Sequence, residues 1–447
     1  HEAVQLALRN TSGDAPARGV QIEIGDLAGE GGAKLPARHV RWNPLGYVNH
    51  RHADVLLPPG PFDVPPASTR AIWITVFAPE DLPPGLYRGA VRVREPGQAA
   101  REAPVTREVH VTREVHVTRE AHVTREAHVT REVPLEVRVW PVTLPQRTSV
   151  ESTYFRIWGI ERHLGPALGD PKRRARLALE VAEDYARHRL FADLHPFEED
   201  QRAILDRAEK GAFGDLERWA RFWEERGIPF EVSIPWAESP GRSGGPGGEE
   251  RFAFWGRELA RRGWHGVVTV TDEPRGRVQP VLDACDVLAR CAPQLKPKSA
   301  FKSCPAGYEF TYAGHIREWG YQPRIWSPDP VGKMVAFNRE REAAGEKVFW
   351  YIHAFLPIAA EAYLHRMFFW ALRKYQVRGA MLYSTCEWDY SEVDRCLDDF
   401  VISDRVDGAG TLLWPGEGRF LDSVRWETIR DGIEDSDLAR LLEARTA

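Results

Sequence analysis

The stretch that decides the fold is Gly266-Val267-Val268-Thr269-Val270-Thr271-Asp272-Glu273-Pro274. Its first six residues are mostly apolar or β-branched, which predicts a buried strand. Two carboxylates follow, and Pro274 ends the pairing with neighbouring strands. Barrel enzymes place catalytic groups at the carboxyl end of such strands, although an Asp-Glu-Pro sequence also occurs in ordinary surface turns. Because adjacent negative charges disfavour joint ionisation, the pKa of one of the two carboxyl groups is expected to rise.

The chain on either side of this strand alternates between further strand patterns and amphipathic helical patterns from about residue 149 onward. The other predicted strands are Val150–Trp158, Phe191–His195, Phe230–Pro235, Lys298–Ser303, Arg324–Ser327, Val348–Phe355 and Gly379–Ser384. The predicted helices are Lys172–Leu190, Asp215–Arg226, Glu250–Arg262, Val278–Cys291, Lys333–Glu346 and Ala362–Val377. Eight strands with intervening helices predict a (β/α)8 TIM-like barrel, with a doubly wound open sheet as the alternative. Neither G-x-G-x-x-G nor a P-loop occurs, so nothing supports nucleotide binding.

The first 145 residues have the pattern of antiparallel β-structure. Val4–Leu8 and Val20–Ile24 alternate apolar and polar residues, Ala71–Val76 is a third strand candidate, and turns rich in proline and glycine separate them. Such short strands are typical of a β-sandwich. The sequence therefore predicts a multidomain β plus α/β protein. Its N-terminal β-sandwich covers residues 1–145, and its barrel, with a C-terminal helix, covers residues 146–447.

A repeat of six residues, V-T-R-E-[VA]-H, runs from Val105 to about Val133 inside the first domain. An even period keeps the same residues on the same face of a strand, which favours strand over helix. One strand of this length would extend over about 110 Å. The repeat is therefore interpreted as an expansion within a hairpin. Its histidines are about 20 Å apart along an extended chain, too far to share one metal ion.

The composition excludes several classes of protein. Hydrophobic residues make up 43% of the 447 residues and aromatic residues 11%, which excludes general disorder. No stretch approaches the roughly 18 apolar residues that span a bilayer, and a net charge of −5 gives no reason to bind nucleic acid. Five cysteines without a C-x-x-C pair do not suggest a zinc ribbon, and no cofactor or metal is expected. The sixteen tryptophans suit a protein that stacks on sugars, although tryptophans also fill large cores.

The chain resembles glycoside hydrolase family 123, together with the wider bacterial family that shares its catalytic domain. The resemblance spans nearly the whole chain. The stretches that carry it are Leu82–Gly89, Val139–Pro145, Thr271–Pro274, Trp414–Gly416, Ser423–Glu427 and Ile429–Asp435. It implies a β-sandwich followed by a catalytic (β/α)8 barrel.

The resemblance also implies a retaining cleavage of β-linked N-acetylgalactosamine in which the substrate assists. The 2-acetamido oxygen of the sugar attacks the anomeric carbon and forms an oxazolinium intermediate. Glu273 matches the general acid/base of the family, and Asp272 matches the carboxylate that orients the acetamido group. No enzyme nucleophile is then required. The chain departs from the family at Leu382–Thr385, where Tyr-Trp is common, and this departure bears on sugar specificity.

Further candidates for substrate contact lie at predicted strand ends, where each is weighed against a role in packing. The candidates for stacking on or binding the sugar are Trp326, Tyr351, Trp388, Tyr383, Lys302 and His195, and Trp236 ends the third predicted strand. The charged residues of the closing helix are instead expected to form a structural ion-pair network, and they are Arg425, Arg430, Asp431, Glu434 and Asp435.

The sequence favours a glycosidase that acts on a carbohydrate partner. Two alternatives remain, namely a carbohydrate-binding or scaffold protein with a degenerate barrel, and a glycosidase of different sugar specificity. The chain begins at His1 without a leader of the signal-peptide type. A secreted, periplasmic or cytoplasmic location in a bacterium stays open.

Overall fold

The computed structural model describes residues 1–95, 129–153, 157–158, 161–236, 248–274, 278–301, 311–323, 330–352, 356–388, 394–396, 399–402 and 408–446. The chain forms two compact units. The first contains His1–Leu144, Asp394–Val401 and Leu421–Val424, and the second contains Pro145–Val393, Ile402–Phe420 and Arg425–Ala447. Among the described helices, none combines the length and the apolar character needed to cross a membrane.

The elements follow one another along the chain in two runs. The first run is β1 (Glu2–Arg9), β2 (Ala17–Ile24), β3 (Leu27–Ala28), β4 (Lys34–Leu35), β5 (Val40–Val48), β6 (His52–Leu56), β7 (Phe62–Val64), β8 (Thr69–Val76), β9 (Gly85–Glu95) and β10 (Val129–Val139). The second run is β11 (Glu151–Thr153), β12 (Ile157–Trp158), α1 (Glu161–Leu168), α2 (Pro171–Arg187), α3 (Glu198–Glu209), α4 (Gly214–Glu225), β13 (Glu231–Pro235), α5 (Gly248–Arg262), β14 (His265–Asp272), α6 (Val278–Cys291), β15 (Lys296–Phe301), β16 (Glu318–Tyr321), α7 (Pro330–Ala343), β17 (Lys347–Tyr351), α8 (Ala362–Lys374), β18 (Gly379–Met381), β19 (Cys386–Glu387), β20 (Asp394–Cys396), β21 (Asp399–Val401), β22 (Trp414–Pro415), β23 (Phe420–Leu421) and α9 (Val424–Thr446).

The first unit contains two six-stranded sheets that share one core. One sheet has the order β1-β8-β5-β21-β20 with β6 beside β5, and the other has the order β4-β3-β9-β2-β7 with β10 beside β9. Leu6, Ile72 and Ile74 from the first sheet pack in the same buried cluster as Ile22 and Val91 from the second. The predicted β character of this part of the chain is therefore confirmed.

Strands β9 and β10 form a long antiparallel pair in which Glu95 lies opposite Val129 and Gly85 lies opposite Val139. On this pair Arg92 is held by Glu132, with 2.6 Å between Nε and Oε1. The last residues of the hexapeptide repeat, up to Val133, belong to β10, whereas the rest of the repeat lies outside the described residues.

The second unit is built on a parallel sheet of seven described strands in the order β11-β18-β17-β16-β15-β14-β13. The helices α5 to α8 alternate with its strands, so the predicted α/β character is confirmed. The two edge strands approach each other, because Thr153 of β11 hydrogen-bonds Glu231 of β13 at 3.1 Å. The sheet is therefore strongly curled, as a barrel wall is.

Two predicted strands differ from the structure. Phe191–His195 is buried but is not a strand, because Asp193 has a left-handed backbone (φ 67°) that interrupts an extended conformation. Arg324–Ser327 lies outside the described residues, and Glu318–Tyr321 supplies a strand at this point of the sheet. The predicted helix Val278–Cys291 is confirmed to the residue.

A buried ammonium group lies inside the curled sheet. Lys298 of β15 is 1% exposed, and its Nζ lies 2.7 Å from Glu231 and 3.3 Å from buried Glu318. The same ammonium donates to Thr153 Oγ1 at 2.6 Å. Although burial by itself lowers the pKa of Lys298, the two carboxylates raise it above its usual range. The residue is therefore charged, and it connects four strands through their side chains.

A second buried charged group joins α2 to α9. The Nδ1–H of His188, just after α2, donates to the backbone oxygen of Asp184 at 2.8 Å, and the ring stacks on Trp426 of α9 with 4.7 Å between the ring centres. Glu427 lies 3.7 Å from its Nε2. Burial alone would lower the pKa of His188, but Asp184 and Glu427 raise it to about 9.

Other charges of α9 are also satisfied inside the second unit. Arg430 pairs with Glu427 at 2.6 Å, and Arg425 donates to the backbone oxygens of Gly408 and Leu356 at 2.7 and 2.6 Å. The guanidinium of Arg366 binds Asp435 with two hydrogen bonds. These contacts agree with the structural role expected of the charged residues in the closing helix.

Replacement of the buried ammonium is expected to destabilise the second unit strongly. In Lys298→Met, Glu231 and Glu318 lose the ammonium group between them while remaining largely shielded from water, so the free energy of unfolding should fall by about 3–5 kcal/mol. Urea unfolding measures the change. Lys296→Met, at the half-buried start of the same strand, is the control and should change the free energy by about 0.5 kcal/mol or less. A loss below about 1 kcal/mol in Lys298→Met would contradict this account.

Because of His188, the free energy of unfolding is expected to fall as the pH becomes alkaline. Because its folded pKa, about 9, lies above the usual histidine value of 6.5, protonated His188 stabilises the fold fully below pH 6.5. This contribution, up to about 3 kcal/mol, disappears as the pH rises through 9. Urea unfolding between these pH values should show the decline in the wild type and a flatter profile in His188→Gln. The exposed His50→Gln variant should retain the decline, and an identical slope in all three proteins would refute the assignment.

Candidate active site

The Asp272-Glu273 pair lies at the carboxyl edge of the parallel sheet, between β13 and β15. The register of β14 against β15 shifts between Thr269 and Thr271, so that the strand carries a bulge just before the two acids. Bulges bend a strand and change the direction of the side chains that follow. Asp272 is exposed, Glu273 is half-buried and Pro274 is buried, which leaves the two carboxylates at the rim of the sheet.

Glu273 has a strained backbone. Its φ is +40°, in the left-handed region that residues with a Cβ rarely adopt. Its N–H still donates to Ala300 O on β15 at 2.9 Å, so the strained residue is fixed to the neighbouring strand. Strain of this kind persists where the surrounding structure maintains it, and it clusters at functional sites. This observation, which the sequence did not predict, is the strongest mark of a site at this position.

Trp236 directly follows β13, the strand next to β14. Its indole is half-buried and stacks on Phe252 of α5, with 5.1 Å between the ring centres and an angle of 11°. A ring held flat in this way has little rotamer freedom to lose when a ligand binds. Among the described aromatic residues that were predicted at strand ends, Trp236 is the one that follows a strand directly adjoining the two acids.

Tyr351 is the last residue of β17 and lies half-buried against Ala300, Phe349 and Met381. These residues belong to β15, β17 and β18, so the tyrosine packs against the side chains that fill the curled sheet near its carboxyl edge. Met381 also passes over Gly320 of β16, where a Cβ would collide with its sulfur. The glycine thus allows the close packing beneath Tyr351.

Tyr383 follows β18 and brings a third carboxylate to the same edge. Its hydroxyl donates to Glu387 Oε2 at 2.9 Å, and both side chains lie against Gly410. A Cβ at Gly410 would lie 2.5 Å from Glu387 Oε2 and 2.6 Å from the tyrosine oxygen, so this position requires a glycine. Sequence analysis did not select Glu387. The feature of the sequence that could have identified it is an acidic residue shortly after the eighth predicted strand.

His195 lies in the buried segment before α3. Its Nδ1 accepts a hydrogen bond from the N–H of Phe197 at 3.0 Å, and its ring meets Trp219 edge-on at 4.9 Å. Burial lowers the pKa of His195 to about 4, so the imidazole is neutral at physiological pH. The ring is 8% exposed, and these contacts orient the start of α3.

Trp388 is fully buried. Its indole N–H donates to Leu413 O at 2.8 Å, and its ring contacts His163 and Phe420. This environment gives the ring no exposed face, which fits packing behind the rim rather than stacking on a sugar. The remaining predicted contacts, Lys302 and Trp326, lie outside the described residues.

The amino end of the sheet holds a set of groups with metal-ligand chemistry. Atoms of Glu231, His265 and Glu318 lie within 4.8 Å of one another. The ammonium of Lys298 lies 2.7 Å from Glu231 and 3.3 Å from Glu318. Because the protein places its own cation between these carboxylates, this set fits an internal ion pair better than a metal ion.

Comparisons with known proteins show what the fold is similar to. No protein-family model and no curated protein sequence matches the chain. Among solved structures, the chain is similar to a family 123 glycoside hydrolase from Clostridium perfringens that was studied for glycolipid glycan hydrolysis. The TM-score is 0.65 at 13% identity, and the similarity covers 99% of this chain and 83% of that one. The chain also matches a calcium-binding mutant of Bacteroides uniformis beta-glucuronidase 2 over 85% of this chain and 44% of that one. The TM-score is 0.27 at 10% identity, which is too low to indicate a shared fold. The predicted resemblance to family 123 glycoside hydrolases is thus confirmed at the level of the fold.

The strain at Glu273 predicts an unusual order of stability between two variants. Both Glu273→Ala and Glu273→Gly remove the carboxylate, but only alanine retains the Cβ that opposes a positive φ. Glu273→Gly should therefore be the more stable by about 0.5–1 kcal/mol in urea unfolding.

The matched control is the pair Thr271→Ala and Thr271→Gly in the extended part of β14. Here the order should reverse, with alanine more stable by about 0.5–1 kcal/mol. If alanine were the more stable residue at both positions, the backbone at Glu273 would not be strained.

Proposed function

We propose that the protein is a glycoside hydrolase that cleaves a β-linked N-acetylhexosamine, with N-acetylgalactosamine favoured. The observation that carries the proposal is the strained Asp272-Glu273 pair at the carboxyl edge of the sheet, in a chain whose fold is similar to a family 123 glycoside hydrolase. Barrel enzymes assemble their active sites at this edge. We also propose that residues 1–145 form a β-sandwich. In residues 146–447, the Phe191–His195 segment would close the curled sheet into a barrel.

In the proposed mechanism Glu273 is the general acid/base. It donates a proton to the glycosidic oxygen while the 2-acetamido oxygen of the sugar attacks the anomeric carbon and displaces the aglycone. The product of this step is an oxazolinium ion. Glu273 then removes a proton from water, the water oxygen attacks the anomeric carbon, and the acetamido group is restored with retention of configuration.

Asp272 is proposed to orient the acetamido N–H and to stabilise the positive charge of the oxazolinium ring. The backbone supports a shared task for the two acids. Consecutive residues of a regular strand point to opposite faces, and the left-handed Glu273 breaks this alternation. The bulge before the pair redirects the strand further. Two adjacent acids can then serve one substrate, which a regular strand end would not permit.

The rim around the pair offers candidate contacts with the sugar. Trp236 is proposed as a stacking surface, because it follows the strand beside the acids and its ring is held by Phe252 of α5. Tyr351 and the Tyr383–Glu387 pair are proposed to bind hydroxyl groups from the opposite side of the curled sheet. Lys302 and Trp326 stay predictions from the sequence.

Hydrolysis of three aryl glycosides tests the proposal, namely the β-N-acetylgalactosaminide, the β-N-acetylglucosaminide and the plain β-galactoside. Cleavage should be confined to an acetamido sugar. Glu273→Gln and Asp272→Asn should each lower kcat/KM by about 10²–10⁴-fold. Glu199→Gln, an exposed acid at the start of α3, is the control and should retain wild-type activity.

Two outcomes would contradict the proposal. Cleavage of the plain galactoside at a similar rate would exclude assistance by the acetamido group and require an enzyme nucleophile. Inactivity of the folded wild-type protein on all three substrates would favour a carbohydrate-binding protein that has lost catalysis.

A further inference from the structure

A cavity lies at the amino end of the same parallel sheet, opposite the Asp272-Glu273 edge. Its volume is about 350 Å³, and it is bounded by the first residues of β14 to β17 and by the end of α6. Cavities of roughly 300–1,000 Å³ accommodate small molecules. Apolar side chains line one part, including Pro293 and Leu295, and charged side chains line the other.

Basic groups outnumber acidic groups in this amino-end cavity. The lining contains the basic residues His265, Lys296, His315, Arg317 and Lys347, and the acidic residues Asp286 and Glu318. Glu318 is already compensated, because His265 lies 2.5 Å and Lys298 3.3 Å from its carboxylate oxygens. Asp286 lies 3.6 Å from His315. The thiol of Cys285 adds no negative charge, since burial raises its pKa to about 12.

Two of the basic groups in this cavity, Lys296 and Arg317, are paired weakly or not at all with acidic groups of the described residues. Lys296 is half-buried and forms no ion pair with the described residues. Arg317 approaches one acid, Glu346, at 3.7 Å, and the other oxygen of that carboxylate already accepts the indole N–H of Trp319 at 2.7 Å. Arg317 keeps 45% of its side chain exposed, so its guanidinium is available to a ligand. The cavity thus combines an apolar wall with two available cations.

We propose that the amino-end cavity binds a small organic anion, whose phosphate or carboxylate group pairs with Lys296 and Arg317. The guanidinium suits the planar or tetrahedral oxygens of such a group, and the ammonium adds a point charge. The carbon body of the ligand lies against Pro293 and Leu295. This site is separate from the proposed catalytic edge, so the inference does not depend on the proposed function.

Isothermal titration calorimetry at constant ionic strength tests the site with three probes, namely inorganic phosphate, glucose 6-phosphate and glucuronate. Saturable binding is expected, with an organic anion tighter than inorganic phosphate because its body buries apolar surface. The two organic probes distinguish a phosphate-bearing from a carboxylate-bearing ligand. Arg317→Gln and Lys296→Gln should each weaken binding about tenfold or more, the loss of one charge-assisted hydrogen bond.

The controls separate this cavity from other sites. Arg202→Gln removes an exposed arginine of α3 and should bind like the wild type, as should Glu273→Gln at the catalytic edge. Failure of all three probes to bind would overturn the proposal. Equal affinity of the wild type, Arg317→Gln and Lys296→Gln would also overturn it, since the anion would then bind elsewhere.

Discussion

The buried ammonium of Lys298 is the interaction on which the second unit depends. The parallel sheet is curled so that side chains of its two edge strands are in contact, because Thr153 and Glu231 share a hydrogen bond and both contact the same ammonium. Glu318 supplies the second negative charge that a buried cation requires. An apolar residue at this position would remove the cation that lies 2.7 Å from Glu231 and would leave Glu318 with only His265 and Lys347 beside it. The curling of the sheet and the neutralisation of its interior therefore depend on the same set of contacts.

In the parallel sheet the two ends of β14 have different roles. β14 begins at His265, in the ion-pair layer that stabilises the sheet, and ends at Asp272, beside the strained Glu273. Strain at one end of a strand is tolerated when the rest of the strand is well fixed. The hydrogen bond from Glu273 to Ala300 extends the pairing with β15 as far as the strained residue. The well-fixed amino end of β14 thus allows Glu273 to keep an unfavourable backbone conformation at the proposed catalytic edge.

Much of this architecture could be predicted from local patterns, and the failures have physical causes. Strands with continuous apolar runs, such as Gly266–Thr271, and amphipathic helices, such as Val278–Cys291, were recognised because burial imposes their periodicity. Phe191–His195 has the composition of a strand, but one left-handed aspartate prevents pairing, and sequence composition does not reveal a positive φ. The role of Lys298 also escaped prediction, because its partners Thr153 and Glu231 are distant along the chain. Glu387 is hydrogen-bonded to nearby Tyr383, but its close approach to Gly410 depends on the fold and could not be read from the local pattern. Adjacent acids after a strand were visible, whereas the strain that distinguishes them from a surface turn was not.

The pairing of β9 with β10 has a consequence for how this gene can change. The first half of β10 is the end of the hexapeptide repeat, and it lies opposite β9 in the same alternation that an even period preserves. Whole repeats can therefore be gained or lost without moving any residue of β10 to the other face of the sheet. The register is fixed instead by the part of β10 that does not repeat, where Leu135 and Val137 enter the core. A change in repeat number would therefore leave the register and the core of the two packed sheets as they are.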